Sequence, residues 1–150
     1  MAQPNPRVVA LHLSLASRAP LRVMERVSAV ANRGLEGDRH AKTGSHRQVL
    51  LIEAEVLESL GLAAGEVREQ VTVRGLALDR LPPGTRLRVG EALLELAKPC
   101  DPCERMNEIR PGLMTTLEGR RGHFVRVVTS GSFAVGDALT ILPAEAAKPV

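Results

Sequence analysis

Two cysteines stand three residues apart in Cys100-Asp101-Pro102-Cys103-Glu104, and they are the only thiols in the chain. The thiolate is the form of cysteine that attacks electrophiles and binds metals. The stretch reads as a strand end running into a helix, with Asp101 as N-cap, Pro102 at the first helical position and Glu104 at the third. That reading puts Cys103 in the first helical turn, where the positive helix end favours ionisation, and leaves Cys100 just outside it. Cys103 is therefore the first choice as catalytic nucleophile or metal ligand. The bland alternative is a pair of small buried hydrophobes. Other chemistries use the same spacing. A structural zinc site needs a second ligand pair, whereas His12, His40, His46 and His123 are scattered singly. A thioredoxin-like pair needs a βαβ surround, and haem attachment needs His directly after the second cysteine, where Glu104 stands.

A second group is Gly34-Leu35-Glu36-Gly37-Asp38-Arg39-His40-Ala41, followed by His46-Arg47-Gln48. Its glycines allow close backbone approach, Arg39 and Arg47 can hold an anion such as a phosphate, His40 can donate to it, and Asp38 can orient a neighbouring cation. The same composition also suits an ordinary loop with Asp38 and Arg39 as turn formers. Lys98 and Arg105 flank the cysteines and add positive potential if they turn inward. Arg74 and Arg126 lie in strand-like segments, where alternation can aim them at a barrel mouth or at water. Neither a Ser-His-Asp series nor a phosphate-binding P-loop is present.

The elements that would position these residues read mostly as strands. Arg7 to Leu15 alternates, Leu21 to Val30 offers a partner, and Gln48 to Ile52 is a short apolar run suited to a buried strand. A helical stripe of Ala54, Val56, Leu57 and Leu60 follows, with Gly61 to end it. Strand periodicity returns at Val71 and Val73, at Leu87 and Val89, and at Leu94 and Leu96. Phe124 to Val128 and Ala138 to Leu142 add two more strands, linked through Ser130-Gly131-Ser132 and Gly136-Asp137 as turns. This spacing predicts a mainly β domain, a closed or nearly closed mixed barrel with a few short helices. One domain is expected over residues 1–150, with residues 143–150 as a frayed tail.

Composition bounds the function. The 150 residues suffice for one core, which must be built from Leu, Val, Ala and Ile because the chain has no Trp or Tyr and only Phe124 and Phe133. Single-stranded nucleic acid is held by aromatic stacking, so nucleic acid is not the expected partner. The formal charge is +3, and an arginine-rich cationic set favours bidentate contacts to phosphate or carboxylate, so a small anionic ligand fits. No apolar run is long enough to span a bilayer, no convincing signal peptide opens the chain, and two close cysteines do not make a secreted disulfide framework. The expectation is a cytoplasmic protein with reduced thiols.

Taken in order, Gly34 to His40, Arg47-Gln48-Val49, Arg68 to Val71 through Gly75-Leu76, Pro99 to Cys103, and Gly122 to Val127 ending at Gly136-Asp137 resemble the MOSC domain, named for the C-terminal part of molybdenum-cofactor sulfurases. The resemblance runs from about Leu21 to Leu142. It implies a mixed β-barrel with small helices and the molybdenum cofactor, a molybdopterin, with Cys103 as metal ligand; it gives no reason to expect pyridoxal phosphate. It also implies a molybdenum-dependent oxidoreductase that reduces N-hydroxylated compounds with electrons from a separate flavin or haem protein. In this reading Asp38, Arg39, His40, Arg47 and Gln48 line the cofactor pocket, with Lys98 and Cys100 beside it. Arg39, Arg47 and Lys98 anchor the phosphate and pterin edge, and His40 is the proton donor. The alternatives are a sulfur carrier working through a Cys103 persulfide and a non-catalytic anion-binding module. Gln70 departs from the family, which usually has Asn after Glu, and no counterpart of the larger reductases' additional N-terminal domain is expected. A homodimer is a base-rate expectation.

Overall fold

Alternating apolar side chains set the strands, and runs of Gly, Pro and charged residues break them. The structure, a computed structural model, describes residues 5–142. The first half holds β1 (Arg7–Leu13), β2 (Arg22–Met24), β3 (Arg26–Val30), β4 (Gly34–Leu35), β5 (Val49–Glu53), α1 (Ala54–Ser59) and β6 (Val71–Arg74). The second half holds β7 (Arg86–Val89), β8 (Ala92–Pro99), α2 (Arg105–Ile109), α3 (Leu113–Thr116), β9 (His123–Thr129), β10 (Gly131–Ala134) and β11 (Leu139–Leu142). The expected fraying of residues 143–150 lies outside the described residues.

Eight strands form one sheet in the order β11-β7-β8-β9-β5-β6-β1-β2, and β10-β3-β4 form a second. The sheet is mixed, because β5 and β6 run parallel while its other pairs are antiparallel. The helix α1 supplies the crossover that a parallel pair requires. The mainly β class holds, but the barrel is not closed by a continuous ladder. Among the described residues a single bridge, between Arg7 and Ala138, and the bond from the Gly136 amide to the Val8 carbonyl join β1 to the chain before β11, and β2 pairs with the far end of β1.

Two clusters share the interior. Leu11, Leu51, Val73, Leu87, Leu94, Val127 and Phe133 belong to the one enclosed by the sheets. The other lies under the helices and includes Ile52, Leu57, Val67, Met106, Leu113 and Leu117. The strand β5 separates them: Leu51 faces the first and Ile52 the second, so the strand is buried on both sides. That explains why Gln48 to Ile52 reads as a continuous apolar run.

Three expectations need correction here. The Leu21 to Val30 segment is not one strand: the chain bends at Glu25, sending β2 to pair with β1 and β3 to pair with β10 in the other sheet. Ser130-Gly131-Ser132, read as a turn, runs into a further strand, β10, which takes up Gly131 and Ser132. The helix after the cysteines starts later than its composition suggests. Glu104 occupies the N-cap with no side-chain capping bond, and Asp101 to Cys103 stay outside. The helix forms where Met106 can bury in the second cluster, since packing outweighs local start signals. With five residues in α2 and Cys103 ahead of them, the helix-dipole argument for its ionisation loses its basis.

Candidate functional site

The end of β8, the starts of β9 and β5 and the loop after β4 converge on a cavity of about 460 Å³. Arg39 and His40 enter from that loop, Arg47 from the approach to β5, and Arg68 and Gln70 from the approach to β6. Lys98, Cys100, Asp101 and Cys103 line it from the end of β8, Arg105 from α2, and Arg121 from the approach to β9. Five arginines and one lysine thus face one carboxylate, Asp101, beside both thiols. This composition attracts an anion.

The cysteines differ. Cys103 is exposed, and its carbonyl accepts the Met106 amide at 2.9 Å, which ties its backbone to the buried end of α2. Cys100 is half-buried, with its amide donating to the Gly122 carbonyl at 2.8 Å. Burial pushes the Cys100 thiol up, against the opposing pull of Arg121 and Arg47.

Asp38 is not itself in the cavity wall; it is the buried support of a residue that is. Its carboxylate accepts the Ser14 amide at 2.7 Å, the His40 amide at 2.8 Å and Gln70 Nε2 at 3.3 Å, and it meets His40 Nδ1 at 2.8 Å. Burial alone would raise this carboxyl, but the bonds from the His40 ring and the two amides outweigh it and hold it below the usual carboxylate range. Arg39 Nε donates to Ser14 Oγ at 3.0 Å, and Arg68 reaches the Ala19 carbonyl at 2.8 Å and the same Ser14 Oγ at 3.3 Å. Ser14 is therefore a hub joining the β1–β2 loop to two cavity arginines. Arg47 lies over the Phe124 ring, 5.8 Å from its centroid.

Gln48 does not reach the cavity. It is fully buried, its Oε1 accepts the Val127 amide at 2.9 Å and its Nε2 donates to Asn32 Oδ1 at 3.5 Å, so it fastens the start of β5 to β9 and to the loop. Gln70, the residue in doubt, has a defined place: its Oε1 accepts the Leu50 amide at 2.9 Å while its Nε2 supports Asp38. Arg74 pairs with Glu58, and Arg126 with Glu95 at 2.9 Å, both away from the cavity.

Arg121 is the residue that sequence reasoning missed. It is only 7% exposed, its Nη2 donates to the Val67 carbonyl at 2.7 Å, and its Nε and Nη1 have no partner among the described residues. A buried guanidinium left with free donors is costly unless an acceptor reaches it. Burial pulls its proton affinity down, opposed by Cys100 and Glu69 nearby. Nothing distinguishes it by type from the adjacent Arg120, which is exposed. The available signal was its place directly before Gly122, whose positive φ of 101° turns the chain into β9.

The family model for the MOSC domain matches residues 38–140, more than half of the chain. No curated protein sequence matches it. Among solved structures, the chain resembles the YUAD protein of Bacillus subtilis, with a TM-score of 0.79 and 19% identity over 92% of this chain and 96% of that one. It also resembles YiiM of Geobacillus stearothermophilus, with a TM-score of 0.73 and 20% identity over 91% of this chain and 75% of that one. For YiiM of Escherichia coli the TM-score is 0.72 and the identity 19%, over 91% of this chain and 69% of that one. At these identities the structures establish a shared fold.

Proposed function

The chain belongs to the MOSC domain family, and on that premise we propose that its cation-lined cavity binds a pterin-type molybdenum cofactor, with Cys103 as the metal ligand, for reduction of N-hydroxylated compounds. One observation carries this reading: an exposed thiol opens into a cavity whose wall includes a buried arginine with two unused donors. The residues present fit the group. Its phosphate suits Arg121, with Arg39, Arg47 and Lys98 nearer the surface, since guanidinium forks match phosphate oxygens. Its metal suits a soft thiolate, and Cys103 is the exposed one. Among the described residues no three His, Cys, Asp or Glu side chains cluster as a cation site, so the metal's remaining ligands would come with the cofactor.

When bound, the cofactor supplies a two-electron redox centre. Reduction of an N–OH group consumes two electrons and two protons and yields N–H and water, with the electrons drawn from a separate flavin or haem protein. The chain's own part is to hold the anion, present Cys103 and deliver protons. His40 is the group for delivery: Asp38 takes one ring nitrogen, leaving the other for the cavity. Cys100, half-buried, is the less accessible of the two thiols to a metal.

The test is reduction of hydroxylamine by the anaerobically purified, metal-loaded chain, with a chemically reduced viologen as donor. Turnover that is lost in Cys103→Ser supports the reading. A metal-loaded wild type that oxidises no viologen, but carries a cyanide-labile sulfur on Cys103, would replace it with the sulfur-carrier role.

A further inference from the structure

Cys100 and Cys103 are the chain's only thiols, and both line the same cavity. Cys103 is exposed, so a small oxidant reaches it first, whereas Cys100 is half-buried. An exposed thiol with a sheltered second thiol close by in the chain is the arrangement of a reversible oxidation site. The charge of Arg121 acts on both sulfurs, which places them beside one guanidinium. The chain between them is a short loop from the end of β8 toward α2, outside any helix. Its two ends are fastened: the Cys100 amide donates to the Gly122 carbonyl at 2.8 Å, and the Cys103 carbonyl accepts the Met106 amide at 2.9 Å. Between these anchors the amides of Asp101 and Cys103 make no hydrogen bond with any described residue, and Pro102 has no amide hydrogen to give. A disulfide needs its two Cα atoms within about 7 Å of each other. This loop can turn to bring them there without giving up a hydrogen bond from any of its amides.

We propose that Cys103 is a site of oxidation by hydroperoxides and that Cys100 is its resolving thiol, the two closing into an intrachain disulfide. The Cys103 sulfur attacks one oxygen of hydrogen peroxide and the O–O bond breaks. The other oxygen leaves as water once protonated, and Cys103 becomes a sulfenic acid. The Cys100 sulfur then attacks the Cys103 sulfur, the S–O bond breaks, and the hydroxyl leaves as water with the Cys100 proton. In sum, two thiols lose two electrons and two protons, and one hydrogen peroxide becomes two waters. A thiol reductant reverses the disulfide by exchange. Without Cys100 the exposed Cys103 would pass on to the sulfinic acid, which thiols do not restore. The pair therefore takes Cys103 out of service reversibly instead of losing it. This holds whether Cys103 ligates a metal or carries sulfur, so the inference stands apart from the cofactor reading.

The test uses the full-length chain free of cofactor, treated with a small excess of hydrogen peroxide and read by thiol titration and by intact-protein and peptide mass spectrometry. Wild type is expected to lose its two titratable thiols together, to become lighter by two hydrogens, and to regain both thiols in dithiothreitol. Cys100→Ser is expected to form a sulfenic acid at Cys103 that dimedone traps, and then a sulfinic acid, two oxygens heavier, that dithiothreitol leaves in place. The bond that fastens position 100 to Gly122 is made by the backbone amide, so the serine keeps it. The wild-type result decides the matter even if the variant folds poorly. A wild type that gains oxygens at Cys103 as fast as Cys100→Ser does overturns the assignment. So does one whose only disulfides join two chains, or one that keeps both thiols under peroxide that oxidises free cysteine.

Discussion

His40 Nδ1 lies 2.8 Å from Oδ1 of Asp38, a carboxylate with no exposed side-chain surface, while the ring itself is one-third exposed toward the cavity. The pair fixes which ring nitrogen faces a bound ligand. Asp38→Asn removes the charge and turns a donor toward the Ser14 or His40 amide. It should cost about 1–3 kcal/mol of stability and lower turnover, with the pH profile of kcat/KM displaced as well as scaled. A purely structural role for Asp38 would scale the profile without moving it.

The same carboxylate sets an acid dependence of folding. Because its folded-state pKa is held below the unfolded value, its contribution is complete above the unfolded pKa and is lost as pH falls through the folded one. Urea unfolding of wild type and Asp38→Asn should therefore show a stability gap that is full at about pH 6 and shrinks below about pH 4.

Arg121 should show effects of opposite sign in the two forms. Replacing it with Met removes a buried guanidinium that spends one donor on Val67 and leaves two unused. Without an anion, Arg121→Met should match or exceed the wild-type melting temperature. Its retention of the cofactor, read as bound phosphorus and metal per chain, should fall by about tenfold or more. Equal loss of stability with and without the anion would contradict the assignment.

The two thiols should separate by reactivity. Cys103 is exposed, whereas burial pushes Cys100 up, so brief treatment with iodoacetamide near neutral pH should alkylate Cys103 first. Peptide mass spectrometry reads the order directly, and bound cofactor should protect Cys103.

Gly122 links Arg121 to β9, and its replacement by Ala should be severe. The new Cβ would stand 2.3 Å from the Leu51 carbonyl oxygen, at a φ of 101° that L residues rarely adopt. A loss of about 3 kcal/mol or more is expected by thermal or urea unfolding.

Much of this was legible in the sequence, and its gaps have physical causes. Strand periodicity located β5, β6, β7, β8 and β9 because alternation reports a buried face directly. The chemistry-bearing loop and the cysteine pair stood out by residue type, and the fold brings Arg39, His40, Arg47, Lys98, Cys100 and Cys103 around one cavity. Gln48 was misplaced because position in the chain does not say whether an amide faces a cavity or a neighbouring strand. The late start of α2 follows from the burial of Met106, a tertiary contact that local capping signals cannot report. Arg121 was invisible for the same reason: its burial depends on Val67, 54 residues away.

The most direct test of the central claim is molybdenum per chain, by elemental mass spectrometry, in wild type and Cys103→Ala purified anaerobically from a host that makes the cofactor. With no Trp or Tyr in the chain, pterin absorbance can be read on the same samples. The account predicts near-stoichiometric metal with pterin in wild type and loss of the metal in Cys103→Ala. A folded wild type from such a host that carries neither metal nor pterin would contradict it.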